Sequence, residues 1–342
     1  MTRASLGGNG RALALLLLAG GAPLMPVGTP VRSQGGMPDG LAFVSNEGSR
    51  DMSIIDLRTQ RTIATRPLGE RPRGIRIAPG GKRVLVALSD ERPGEESSRD
   101  AVVAIDIATH AIVGRYPVGT DPEQFAITPD GRLLVAANED AGTASITNLS
   151  TGKLVATLVV GIEPEGVAIS PDGRWAYVTA ETSNTVSVID IRQARVAANF
   201  LVDARPRGVT FAPNGRDAYV SAEVGGTVHR IDVATHAVVA TALMDSGEAK
   251  PVGVAVSPDS RTLYVAAAAA SALYVLDARS LRVIARIAVG KRPWGVSVSA
   301  DGSRVYTVNG LSQSLSIVDA STRRLIGTIA VGRLPWGIAL LP

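Results

Sequence analysis

Hydrophobic residues in this 342-residue chain fall in short runs with period two, separated by clusters of Gly, Pro, Asp, Asn and Ser. The stretch 166–202 shows the pattern. Gly166-Val167-Ala168-Ile169-Ser170 is a β run, closed by Pro171-Asp172-Gly173-Arg174, a turn whose glycine supplies a positive φ. Trp175–Ala180 makes a second strand, and Glu181-Thr182-Ser183-Asn184 a polar loop. Thr185–Asp190, rich in β-branched residues, is a third strand. Asp190 then opens a tight turn into a fourth strand, Val196–Val202. No segment shows helical periodicity, which excludes helical solenoids. Four short antiparallel strands per unit describe a propeller blade.

The unit recurs. Its landmark is Gly-x-x-Pro-x-Gly, with prolines at Pro72, Pro122, Pro164, Pro206, Pro251, Pro293 and Pro335, spaced 50, 42, 42, 45, 42 and 42 residues apart. A near-constant period of this length means repeated supersecondary units. The chain stops soon after the first-strand pattern Trp336–Leu341, while Leu41–Ser45 reads as a second strand with no first strand before it. Pairing the two termini completes a blade and leaves no open sheet edge. The third strands end at Asp56, Asp106, Asn148, Asp190, Asp232, Asp277 and Asp319, seven in all. The expected fold is all-β, a seven-bladed propeller of four-stranded antiparallel blades spanning 38–342.

Residues 1–34 fall outside the ring. Arg3 and Arg11 precede the apolar run Ala12–Ala19, followed by small residues. That is the pattern of a secretory leader, too short to span a bilayer. The expectation is a soluble, monomeric protein exported to the periplasm or beyond. The formal charge is +4, and the leader contributes Arg3, Arg11 and Arg32 with no acid, leaving +1 on the rest. Such a balanced surface gives no reason to expect nucleic acid or anionic lipid as a partner. The chain has no cysteine, which excludes thiolate metal sites and covalent haem attachment.

Two ends of each blade differ in what they offer. The Pro-Asp-Gly hairpins and the Asp-x-x-Thr turns are uniform around the ring and read as structural, with Asp106 and Asp232 capping turns. The opposite end carries variable loops, including a charged insertion at Ser89–Asp100 and a shorter one at Asp245–Glu248. Aligning the repeats brings Arg73, Glu165, Arg207, Trp294 and Trp336 to one position of this mouth, where Glu123 and Val252 complete the ring. It brings Glu47, Glu139, Glu181 and Glu223 to another, with Asn46, Asn138 and Asn309 beside or replacing them. Arginines can grip carboxylates while indoles stack on a planar ligand. The same residues can equally neutralise each other and pack between blades. Several convergent oxygens also suit calcium, although the facing arginines oppose it. His110 and His236 occupy equivalent turn positions, His229 lies on a strand, and none has a carboxylate-and-serine arrangement in the repeat alignment. No catalytic residue and no metal ligand is assigned.

Tyr177-Val178-Thr179, Tyr219-Val220-Ser221 and Tyr264-Val265-Ala266 resemble the YVTN-type β-propeller repeat. Val44-Ser45-Asn46-Glu47, Asp121-Pro122-Glu123-Gln124-Phe125-Ala126, Ala137–Asp140, Glu163–Gly166, Arg205-Pro206-Arg207 and Pro335-Trp336-Gly337 carry a narrower likeness. Through them the chain resembles the seven-repeat β-propeller family associated with PQQ-dependent catabolism of alcohols. That resemblance implies a non-enzymatic accessory protein, with a quinoprotein dehydrogenase, transport components or a small anionic ligand as partner. No covalently bound cofactor is expected; PQQ is the candidate the resemblance offers, and calcium the one the convergent oxygens offer. The family offers no catalytic residues to carry over. Two alternatives stand beside this: a propeller hydrolase of the lactonase kind, using mouth carboxylates and a divalent cation, and a docking subunit for an electron-transfer complex.

Overall fold

The computed structural model describes residues 40–90, 97 and 99–341. The expected leader lies outside them, as does most of the tip of the Ser89–Asp100 insertion. Among the described residues, 28 strands form seven four-stranded antiparallel sheets, as the sequence pattern predicts. Each sheet is a simple meander, and its first strand lies innermost, lining a central channel. The inner strands are Arg71–Ile77, Pro122–Ile127, Pro164–Ile169, Pro206–Phe211, Pro251–Val256, Pro293–Val298 and Pro335–Leu341.

The last of these closes the ring. Pro335–Leu341 pairs antiparallel with Leu41–Asn46, Leu41 opposite Leu341 and Val44 opposite Ile338. This is blade one, and blades two to seven begin at Arg71, Pro122, Pro164, Pro206, Pro251 and Pro293. Second and third strands are almost wholly buried, and aliphatic clusters bridge successive blades, such as Phe43, Ile54, Ile75, Val86 and Ile105 between blades one and two. The core is thus a set of dry inter-blade layers, which suits the alternating pattern of the strands.

The YVTN-like motif has a physical explanation here. Its hydroxyl is a clasp between blades. Thr179 Oγ1 accepts from Gly166 N at 2.8 Å and donates to Arg207 O of the next blade at 3.0 Å. Ser45 does the same with Gly337 N (3.0 Å) and Arg73 O (2.6 Å). The glycines are required by this contact. A Cβ on Gly166 or Gly253 would stand 2.1 Å from the carbonyl oxygen of the neighbouring blade.

The turns behave as expected. Gly131, Gly173, Gly215 and Gly302 take φ between 70° and 72°, and Asp106 Oδ1 accepts from Ala108 N, Thr109 N and Thr109 Oγ1 at 2.9–3.1 Å. The connections at the mouth share a strained residue. The residue before the proline adopts a left-handed conformation in six connections, at Asp121, Glu163, Arg205, Lys250, Arg292 and Leu334, with φ of 47–61°. That conformation costs a non-glycine residue about 1 kcal/mol, and it turns the chain sharply into the inner strand.

Candidate functional site

In blades two to seven the ladder between first and second strands is interrupted directly after the proline. In blade four, Pro164 pairs with Ala180 and the next registered pair is Val167 with Val178. The bulge frees the residue after the proline from the ladder and presents it at the mouth. Taken around the ring from blade one, these residues are Trp336, Arg73, Glu123, Glu165, Arg207, Val252 and Trp294. Beside them stand Glu47, Glu139, Glu181 and Glu223, each at the end of a second strand.

These side chains form two linked ion-pair groups. Arg207 Nη1 contacts Glu165 and lies 2.5 Å from Glu181 Oε1, while its Nε donates to Glu223 Oε2 at 2.9 Å. Arg205 Nε donates to Glu181 Oε2 at 2.6 Å. On the other side, Arg73 Nη1 donates to Glu123 Oε2 at 2.9 Å, and its Nη2 lies 3.6 Å from Glu47 Oε1. Arg71 pairs with Asp121 at 2.8 Å. Each inner arginine also lies over an indole, Arg73 at 5.7 Å from the Trp336 ring and Arg207 at 5.2 Å from that of Trp294. Burial would depress both guanidinium pKa values, but the surrounding carboxylates raise them instead.

The carboxyl groups are pushed apart. Burial, together with the neighbouring Glu165 carboxylate, raises Glu181 to about 9, so it holds its proton at neutral pH. Glu165 is buried too, which acts to raise it, yet Arg207 and its hydrogen bond with Glu181 hold it below the ordinary carboxylate range. Glu123 is fully buried, and desolvation lifts it well above the usual value despite Arg73. Desolvation raises Glu139 as well. Asp121, Glu123 and Glu139 bring one oxygen each to within 4.8 Å of one another, the grouping that could hold a cation. Arginines already engage two of the three.

Six predicted residues line one cavity of about 310 Å³: Glu47, Arg73, Glu139, Arg207, Trp294 and Trp336. Arg205, Arg292 and Glu165 join them. Glu181 and Glu223 stand behind, fixing Arg207 rather than lining the opening. Asn309 is a correction. It is fully buried, and its amide donates to Ser314 O, Ser314 Oγ and Ser316 Oγ at 3.0–3.2 Å, so it ties the loop of blade seven. The reason is its place one residue ahead of the glutamates: Asn46 and Asn138 hold the same loop in their blades, and glycine, Gly310, fills the glutamate position. Glu123, Glu165, Arg205 and Arg292 were outside the predicted set. The first two do stand at the varied position after the proline that the repeat alignment singles out.

The histidines sit elsewhere. His110 and His236 share the same left-handed turn position. His229 has a carboxylate and two threonine hydroxyls nearby, and no serine: Asp203 at 3.4 Å, Thr227 at 3.1 Å and Thr241 at 3.0 Å. Burial lowers its pKa, which makes it a neutral, hydrogen-bonded core histidine outside the mouth lining.

Residues 197–326 match the family model described as "Lactonase, 7-bladed beta-propeller". The match covers less than half of the chain. Among solved structures, Hydrazine Synthase of Kuenenia stuttgartiensis superposes with a TM-score of 0.72 at 22% identity, covering 86% of this chain and 98% of its own. A functionally unknown protein from Desulfotomaculum acetoxidans DSM 771 gives 0.76 at 17% identity, covering 88% and 99%. At these identities the likeness is one of fold. No curated protein matches the chain.

Proposed function

We propose that this chain is a non-enzymatic, exported binding or scaffold propeller, an accessory to PQQ-dependent alcohol catabolism and its transport system. The observation that carries the binding role is Arg292. It is exposed at the rim of the mouth cavity, stacks on Trp294 at 4.8 Å, and has no carboxylate partner among the described residues. Every other mouth arginine is already engaged by acids. The buried Nε1 of Trp336 also has no acceptor. A free guanidinium and an unpaired indole N–H beside two aromatic faces suit a planar carboxylate. PQQ is a planar tricarboxylate, and 310 Å³ lies at the low end of small-molecule pockets. The sequence resemblance supplies the biological setting. Calorimetric titration with PQQ tests the proposal: Arg292→Ala and Trp294→Ala should each weaken binding at least tenfold. An absence of heat with the unaltered protein at high PQQ concentration eliminates the ligand and leaves docking to a dehydrogenase or transport component, read by titration with that purified partner.

A lactonase-like hydrolase is the second reading. It is favoured by the family-model match over 197–326 and by Glu165 and Glu181, two adjacent carboxyls with opposite pKa displacements, the arrangement of an acid–base pair. Glu165, which lines the cavity, would take a proton from the attacking water, and Glu181, hydrogen-bonded behind it, would supply a proton through Glu165 to the leaving alkoxide. A lactone panel assayed with and without calcium tests it; inactivity throughout dismisses it, and activity should be lost in Glu181→Gln.

A further inference from the structure

Departures from sevenfold repetition also occur below the mouth. Six inner strands carry glycine two residues after the proline, because a Cβ there would come within 2.1–3.0 Å of the next blade's carbonyl oxygen. Blade three has Gln124 instead. Two residues further along, the other blades carry Ala126, Ala168, Thr210, Ala255, Ser297 and Ala339, but blade two carries Arg76. The two exceptions are neighbours. Gln124 Oε1 packs 3.2 Å from the Cβ position of Gly74, and Gly74 and Arg76 share one face of their strand. Both side chains line the same channel cavity of about 80 Å³, whose mouth end is walled by Trp294, Trp336 and the paired Glu165 and Arg207.

Arg76 then opens onto a wider vestibule of about 570 Å³ on the side away from the mouth. It is the sole charged side chain among the described residues lining that vestibule, whose other walls include Ile77, Ile127, Val254, Phe211 and Leu340. Its Nη1 donates to Ile75 O at 2.8 Å, and it has no acidic partner among the described residues. Burial pushes its pKa down to about 10, which still leaves it charged at neutral pH. The Oε1 atom of Gln124 is buried and has no hydrogen-bond partner. Arg76 is half-buried, and a cation set in an apolar wall without an opposite charge favours the arrival of an anion.

We infer that the channel directly below the mouth is a second ligand site, for a short aliphatic monocarboxylate: carboxylate on Arg76 and the Gln124 amide, tail in the vestibule on the far side. Arginine offers a paired donor edge to a carboxylate, and the amide of Gln124 is free to turn an N–H toward it.

The test is calorimetric titration of the protein at low ionic strength with acetate, butyrate and hexanoate, with butylamine as the charge-reversed control. Binding should be saturable and tighten about two- to fourfold per added methylene. It should fall at least tenfold in Arg76→Ala and several-fold in Gln124→Gly. Both substitutions install a residue that other blades already carry at that place, so the ring should fold, which thermal unfolding checks. The inference is overturned if hexanoate shows no saturable binding at tens of millimolar, if Arg76→Ala binds as well as the unaltered protein, or if butylamine binds equally.

Discussion

Replacing Glu181 by glutamine should stabilise this protein at neutral pH, against the usual effect of removing a buried acid from an ion-pair group. The ordinary glutamate value is 4.5, and in the folded mouth Glu181 is raised to about 9 by burial and by Glu165. Between those values the native state holds a proton that the unfolded chain releases. Stability therefore falls as pH rises, by about 1.4 kcal/mol per pH unit, and this contribution is fully present only below 4.5. At pH 7 the unfolded chain has gained about 3 kcal/mol from ionising Glu181. Glutamine copies the neutral acid in shape but cannot ionise in either state. Glu181 is buried, so solvent screening removes little of this. Urea denaturation of both proteins from pH 5 to 9 is the assay. The variant should match the unaltered protein near pH 5, exceed it by about 1–3 kcal/mol at pH 7, and diverge further toward pH 9. A difference that does not change with pH, or a variant less stable at pH 8, refutes the reasoning.

Three further outcomes are expected. Gly253→Ala should cost more than about 3 kcal/mol, since its Cβ would stand 2.1 Å from Trp294 O. Gly152→Ala, at φ +67° with no atom within 4 Å, should cost only about 1 kcal/mol, so equal losses in denaturant midpoint would contradict the inter-blade contact. Ending the chain before Pro335 strips the inner strand from Leu41–Asn46 and opens the ring; size-exclusion chromatography should then show aggregation, and an unaltered monomer peak would count against closure. Asn309→Ala should lower stability by about 1–2 kcal/mol through its lost loop bonds, with ligand titration at the mouth unchanged.

The ring was legible because period and fold are tied by geometry: Pro-Asp-Gly turns, period-two strands and complementary termini admit few arrangements. The outward position of Trp294, Trp336, Arg73 and Arg207 could also be read, since one repeat register places them all. What escaped was finer than the register. Asn309 and Glu47 differ by one position at a strand end, and that one residue decides between the loop's own bonds and the mouth. Glu123 and Glu165 could be read at the same varied position as Arg73, but not that both are buried there, since a sequence pattern shows burial only as an average. Arg76 read as an ordinary strand residue, because the channel that isolates its charge exists only once seven blades have closed.

A ring of identical units can carry a directional site only where the units differ, and here the differences are ordered. Reading the residues after the proline around the mouth gives Trp, Arg, Glu, Glu, Arg, Val, Trp. Blades three and four make an acidic side, blades six, seven and one an aromatic side, and the two inner arginines stand at the boundaries. A guanidinium suits such a boundary because its edge donates hydrogen bonds while its face stacks. Arg207 uses its edge for Glu165, Glu181 and Glu223 and its face for Trp294, and Arg73 divides itself in the same way between Glu123 and Trp336. Val252, small, lies between Arg207 and Trp294 in the ring and leaves the room for their stacking. Exchanging Arg207 and Val252 would keep the composition of the mouth but place a valine among three carboxyl groups and an arginine beside an indole alone. The double variant should lose stability well beyond the sum of packing changes, because Glu165 would then be buried without a cation.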